Sequence, residues 1–580
     1  MKGHNNMNKI VNKTLIALLM SGSALVNYSC IDENEPTDYA SSSQIGKSDN
    51  AQSGLLSGLV SYMVTYDTYG VTGGSCDWGY PCQMFIRDIM TEDLPVKNTD
   101  GDYDYYSYIE EGTDLQAFTP YAYFYYTKLI HNANSIIGSC DDGQNVNSSA
   151  GIGYTFRALA YLDMARMFEF RKTGYADLDA KAAKVWGLTV PVVTDKTSHE
   201  TAKSNPRAPF YTMYRFINSD LEKAEKHLKG YQRTDDSYPD SSVVAGLKAR
   251  FWLELGTRFE KDPEDLTTQM AHEGDNDGYT ALGITSADEC YAKAAEYAKK
   301  VIDAEYSPVS KSQWYDAETG FNTSNQAWVW TARIGSKEQL NSYWYYTWMG
   351  TLNSECNYSL SSYGTYRCIS KGLFDQISDN DWRKHTWVAP DDAGKDAVPE
   401  GYSTLLPDDR WAKLPEYTNL KYHAGKGDLT EWEKCSLCDI PLMRVEEMHL
   451  IYAEAIAHTQ GVGAGKSYLE NFVNTYRYDD GSYTCPSADM DGFIKELVLQ
   501  KRIELWGEGL VYFDYKRLKL GIDRAYEGTN FYKNTRLKTA EGNVAPWLNY
   551  YLPEYENAYN PACLLNPDPT NVVTDQTKFD

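Results

Sequence analysis

Long apolar runs are almost absent from this chain of 580 residues. Beyond Thr14–Val26 (TLIALLMSGSALV), no stretch approaches the roughly 20 apolar residues that a membrane helix needs, so an integral helical membrane protein is excluded. Positive charge is scarce too: 55 Lys and Arg stand against 81 Asp and Glu, for a formal net charge of −26. Nucleic acid and anionic lipid would be repelled at long range, whereas neutral ligands stay open. Eleven cysteines are scattered without period, which excludes a small disulfide scaffold. Cys435-Ser-Leu-Cys438 is a lone CxxC without a second ligand pair, so a metal or redox site there competes with a local disulfide or free thiols. No GxSxG, HExxH, GxxxxGK[ST] or GxGxxG motif occurs, and nine His residues form no i, i+4 pair. Catalytic residues, cofactor and metal are therefore not expected. Asp100, Asp102, Asp104 and Glu111 do occupy positions 1, 3, 5 and 12 of a calcium loop, but Tyr105 stands where Gly makes the turn.

What is present begins with a leader. Lys2, Lys9 and Lys13 precede the apolar stretch Thr14–Val26, 13 residues long, the layout of a secretory signal peptide. Cleavage after Ser29 would leave Cys30 as the new N-terminus, the position at which a lipoprotein is acylated, although Asn27 stands where Leu is usual. Acyl chains contribute roughly 0.8 kcal/mol per buried methylene, so two or three would hold the protein permanently on a membrane. Residues 1–29 are read as signal peptide and 30–50 as a lipidated, flexible, acidic and Ser-rich tether.

Helical periodicity then recurs. Thr119–Ile137 and Ile152–Phe170 form a first pair, the second with Ala158, Tyr161, Leu162, Ala165 and Phe168 on one stripe. Tyr211–Leu228, Val243–Phe259, Asp288–Ala304, Leu442–Thr459, Lys466–Tyr476 and Asp491–Trp506 follow. The expected fold is mainly α: a tetratricopeptide-like scaffold of helix pairs, without a clean 34-residue repeat, carrying a large irregular loop-rich region with few short strands. Residues 51–305 make an N-terminal helical region. Residues 306–580 hold an aromatic loop block, a short strand at Gln326–Arg333 and closing helices.

Aromatic residues make up 14% of the chain, with 48 Tyr against 17 Phe, a bias suited to surfaces that bind while staying wet. Two non-helical stretches concentrate rings beside amides and acids, as carbohydrate recognition requires. One is Cys76–Cys82 (CDWGYPC), offering Asp77, Trp78 and Tyr80. The other offers Trp314, Tyr315, Asn341, Trp344, Tyr345 and Trp348. Each ring taken singly is more often core than contact.

Four segments in order resemble the SusD/RagB family of outer-membrane nutrient-binding lipoproteins: GYTFRALAYLDMARMFEF (153–170) with WGLTVPVV (186–193), MRVEEMHLIYAEAIA (443–457), KRIELWGEGLVYFDYKRLK (501–519) and LPEYENAYNPACLLN (552–566). Lys501 and Val511 depart from its pattern, which puts one ion pair in doubt. The resemblance implies a non-catalytic, surface-exposed lipoprotein of the outer membrane that captures oligosaccharide and passes it to a SusC-like TonB-dependent transporter. It also implies that CDWGYPC occupies the region of an aromatic ligand platform. A RagB-like peptide binder and a surface glycosidase are the alternatives. Arg502, Glu504, Glu508, Asp514 and Arg517 read as a buried charge network rather than an acid/base cluster, with Glu504 and Glu508 sharing a helix face.

Overall fold

The structure, a computed structural model, describes residues 48–66, 76–95, 115–141, 143–340, 346–570 and 572–573. Cys30 with its leader, the Asp100–Glu111 stretch, and Asn341, Trp344 and Tyr345 lie outside the described residues. Residues 1–51 and 52–580 are two units. Of the first, only the opening turn of α1 (Asp49–Tyr62) and Ser48 are described, with Ser48 Oγ accepting from Ala51 N at 3.3 Å.

The second unit is mainly helical. Its longer helices include α2 (Tyr80–Ile89), α3 (Leu115–Cys140), α4 (Ser148–Phe168), α5 (Phe210–His227), α6 (Ser241–Lys261) and α7 (Ala287–Ile302). Short polar side chains start α4, α6 and α7, as expected of groups that satisfy otherwise unpaired first-turn amides. Asn147 accepts from Ser149 N at 2.8 Å, Asp240 from Ser242 N at 2.9 Å and Ser286 from Glu289 N at 3.2 Å. Helices pack in succession, α3 on α4, α4 on α5 and α6 on α7. The α6/α7 contact is close because Gly256 carries no side chain; a Cβ there would meet the Tyr291 ring at 2.8 Å. α4 is buried around its whole circumference, not along one stripe, because helices cover it on several sides. Its interior charges consequently need partners, and Asp163 accepts from Tyr80, Tyr126, Arg87 and Arg166.

After α7 the chain enters the irregular block. β1 (Trp328–Ile334) pairs antiparallel with β2 (Cys438–Arg444), and they form the one sheet among the described residues. β2 runs directly into α8 (Val445–Gln460), which packs on α7 and on α9 (Val462–Tyr476). α10 (Met490–Glu504), α11 (Val511–Arg517) and the short α12 (Glu554–Tyr559) follow. One apolar core extends from Leu59 to Val573, joining the helices to the loop block.

Candidate functional site

The two predicted aromatic stretches do converge, but inside the protein. Tyr80 opens α2 rather than a loop, with Pro81 at the first turn, where a missing N–H costs nothing. Its hydroxyl donates to Asp163 at 2.8 Å. Trp78 is 4% exposed and Trp348 wholly buried, with ring centroids 6.5 Å apart. From Trp348 the edge-on contacts continue through Tyr422 (5.2 Å), Phe321 (6.0 Å) and Trp314 (4.7 Å) to Trp382 (5.6 Å). Half-buried Tyr315 packs on Trp382 and donates its hydroxyl to that residue's carbonyl. Trp78, Trp314 and Trp348 thus belong to an internal ring spine, Asp77 and Tyr80 are buried too, and the expectation of an open stacking platform on these residues is corrected. The apolar bulk of Trp and Tyr serves cores as readily as binding faces, and the void beside Trp78 and Trp348 is only about 10 Å³.

The charged segment is also interior. Arg444 binds Glu508 with Nε and Nη2, both at 2.9 Å, and Glu504 with Nη1 at 3.2 Å. Arg477 and Arg383 reach Glu504 at 2.7 and 2.8 Å, and Lys421 reaches Glu508 at 2.7 Å. Burial opposes charge on Glu504, yet Arg477, Arg444 and Arg383 together hold its carboxyl well below the usual range. The two acids do not share a helix face: α10 ends at Glu504, and a turn with Gly507 and Gly509 at φ 80° and 69° brings Glu508 back toward Arg444. Lys501, a departure from the family pattern, bonds Glu454 at 3.2 Å and Asp514 at 3.0 Å. Cys435 and Cys438 are free buried thiols, and the side chain touching Cys435 is that of Cys356.

A real cavity, of about 680 Å³, lies elsewhere, between α3, α4, the Pro191–Asn205 loop and α12. Its walls are rings: Tyr123, Phe124 and Tyr161 on one side, Tyr555 and Tyr559 on the other. Tyr161 fixes the loop by accepting from Val193 N at 2.7 Å and donating to Val193 O at 3.1 Å. Asn560 fixes α12 by accepting from Asn205 N at 3.1 Å and donating to Asn205 O at 2.6 Å. Burial, then the nearby Glu556 charge, pushes the Tyr123 phenol well above its ordinary range, so it stays a neutral hydroxyl. His131, His199, Lys203, Asn205 and half-buried Glu556 add donors and acceptors around the rings. Glu556 is the one carboxylate among the described lining residues, so the paired acids of glycoside hydrolysis are not assembled here.

Sequence reasoning missed these residues. Tyr123 and Phe124 were absorbed into a helix pattern. The available signal was Tyr555 and Tyr559, whose i, i+4 spacing after Pro553 places two rings on one face of a short helix.

Residues 310–578 match the model of the SusD family. Among solved structures, the chain is similar to a SusD-like carbohydrate binding protein from Bacteroides vulgatus ATCC 8482, with 20% identity, a TM-score of 0.62, and coverage of 89% of this chain and 97% of that one. It is also similar to a SusD superfamily protein from Bacteroides thetaiotaomicron VPI-5482 (18% identity, TM-score 0.59, coverage 89% and 99%). A third, from Parabacteroides distasonis ATCC 8503, has 16% identity, a TM-score of 0.60, and coverage of 89% and 98%. No curated protein is similar enough to match.

Proposed function

From a chain whose residues 310–578 match the SusD family model and which shares the fold of SusD superfamily structures along most of its length, we propose a member of that family, a lipid-anchored protein of the outer-membrane surface that captures an oligosaccharide. It delivers that oligosaccharide to a SusC-like TonB-dependent transporter. The observation that carries the capture is the ring-walled cavity. Sugar C–H faces stack on Tyr and Phe, and hydroxyls, which both donate and accept, match a mixed set of imidazole, amide, ammonium and carboxylate groups. The volume of about 680 Å³ falls within the range of ligand pockets, roughly 300–1,000 Å³. A single carboxylate in the lining favours binding over turnover. The anchor rests on Cys30, and the transporter on the family resemblance.

The test is a glycan array on the wild type, followed by titration calorimetry on Tyr559→Ala. Tyr559 is 81% exposed, so its removal leaves the core intact. Affinity is expected to fall about tenfold with the melting temperature unchanged, the size of one lost ring stack. An array without a single glycan bound, beside binding to a peptide library, would replace this reading with a peptide-binding one.

A further inference from the structure

A second, smaller cleft of about 200 Å³ opens where the segment after α4 meets α5, α6 and Lys519. It contains Trp186, which at 42% is the most exposed tryptophan among the described residues. An indole left open is unusual in this chain, whose other described tryptophans are buried or, at Trp432, half-buried. Its backbone is fixed. Trp186 bridges to Phe170, and Gly187, at φ 70°, passes so close to Phe210 that a Cβ would meet that ring at 3.1 Å, while its carbonyl accepts from Phe210 N at 2.7 Å. The Lys172 ammonium sits 4.6 Å from the indole centroid.

Opposite stands Arg258, 2% exposed and stacked 3.8 Å from the Phe210 ring centroid. It holds Glu169 with Nη1 and Nη2 at 2.8 and 2.9 Å, and Asp265 at 2.8 Å, but its buried Nε–H has no acceptor among the described residues. A buried donor without a partner is costly, so this one is an invitation to an oxygen atom. On the rim, Asp262 accepts from Arg171 at 2.5 Å and Lys519 at 2.7 Å, while Glu264 stays open to solvent. Arg171, Lys172, Arg258 and Lys519 are balanced by four carboxylates, so the lining carries no formal net charge. An anion or a cation would face groups already matched.

We infer that this cleft is a second carbohydrate subsite, taking one uncharged pyranose ring against Trp186, with its hydroxyls accepting from Arg258 and donating to Glu264. Its volume lies below the roughly 300–1,000 Å³ of pockets for larger ligands, which fits one ring rather than a chain. This extends the glycan reading of the larger cavity. Trp186 and Pro191–Val193 lie on one short segment that walls both, so the protein presents two sugar-binding positions on one stretch of backbone.

Calorimetry with the shortest oligosaccharide returned by the array, on the full soluble protein, decides it. The wild type should bind two molecules per chain; Trp186→Ala should bind one, keeping the event that Tyr559→Ala weakens. Trp186→Phe, which retains a ring, should recover the second event, and so separates stacking from any effect on folding. A wild-type isotherm unaltered in Trp186→Ala, or one site in the wild type, overturns the second subsite and leaves the first standing. Absence of any glycan binding overturns both.

Discussion

At the scale of the residue, Asp88 is a buried carboxyl whose titration bears on stability. It lies buried on α2, its carboxylate accepting, among the described residues, only from Gly509 N at 3.0 Å. Burial, then the neighbouring Asp93 charge, pushes its pKa up to about 8 from 3.8. The folded protein thus binds a proton that the unfolded chain has released. Stability from this group is complete below about pH 4 and is lost as pH rises toward 8. Asp88→Asn mimics the protonated form, and urea melts at pH 5, 6 and 7 should show a flatter decline for the variant. Lys516, depressed by burial to about 7, acts in the opposite sense and only at higher pH. An unchanged slope would mean that Asp88 is ionised in the fold. Residue roles were the least legible part of the sequence. Trp78 and Trp348 have the composition and Gly-rich context of a binding loop, yet a ring's exposure depends on what packs over it, which local sequence does not encode.

Elements were far more legible, because helical periodicity is local. α3 to α10 all surfaced as apolar stripes within a few residues of their observed ends. β2 did not. Cys438–Arg444 is buried at six of its seven positions, so no alternation marks it, and its pairing with β1 is a long-range event. The turn after α10 was likewise misread as helix because Glu504 and Glu508 have helical spacing; Gly507 and Gly509 override it by entering the left-handed region. This turn is what brings both acids to Arg444. Glu504→Gln should therefore leave three guanidinium groups under-compensated and cost about 3–5 kcal/mol in chemical denaturation. A loss below about 1 kcal/mol would show that the arginines find other partners.

For the whole molecule, the family's fold could be read because its motifs run in order along the chain, whereas the cavity could not, since its walls come from helices and loops far apart in sequence. The anchor proposal belongs to this scale. Cys30→Ala is expected to move the protein from the outer-membrane pellet into the soluble fraction, as no described helix is apolar and long enough to cross a membrane. Retention in the pellet after the transporter has also been deleted would rule out Cys30 as the anchor.

The order in which the charge network is written into the chain has a consequence for biosynthesis. Arg383, Lys421, Arg444 and Arg477 leave the ribosome before Glu504 and Glu508, the acids that they share. Asp381 beside Arg383, and Glu446 beside Arg444 and Arg477, supply part of the counter-charge early, but Glu504 and Glu508 complete it, and burying the four cations before those two arrive would leave them under-compensated. The interior around Arg444 is accordingly expected to close only after the α10 segment has been made. An open chain is the form that can be threaded through a narrow export channel, so for the exported lipoprotein proposed above the late position of two glutamates favours folding after translocation rather than before it.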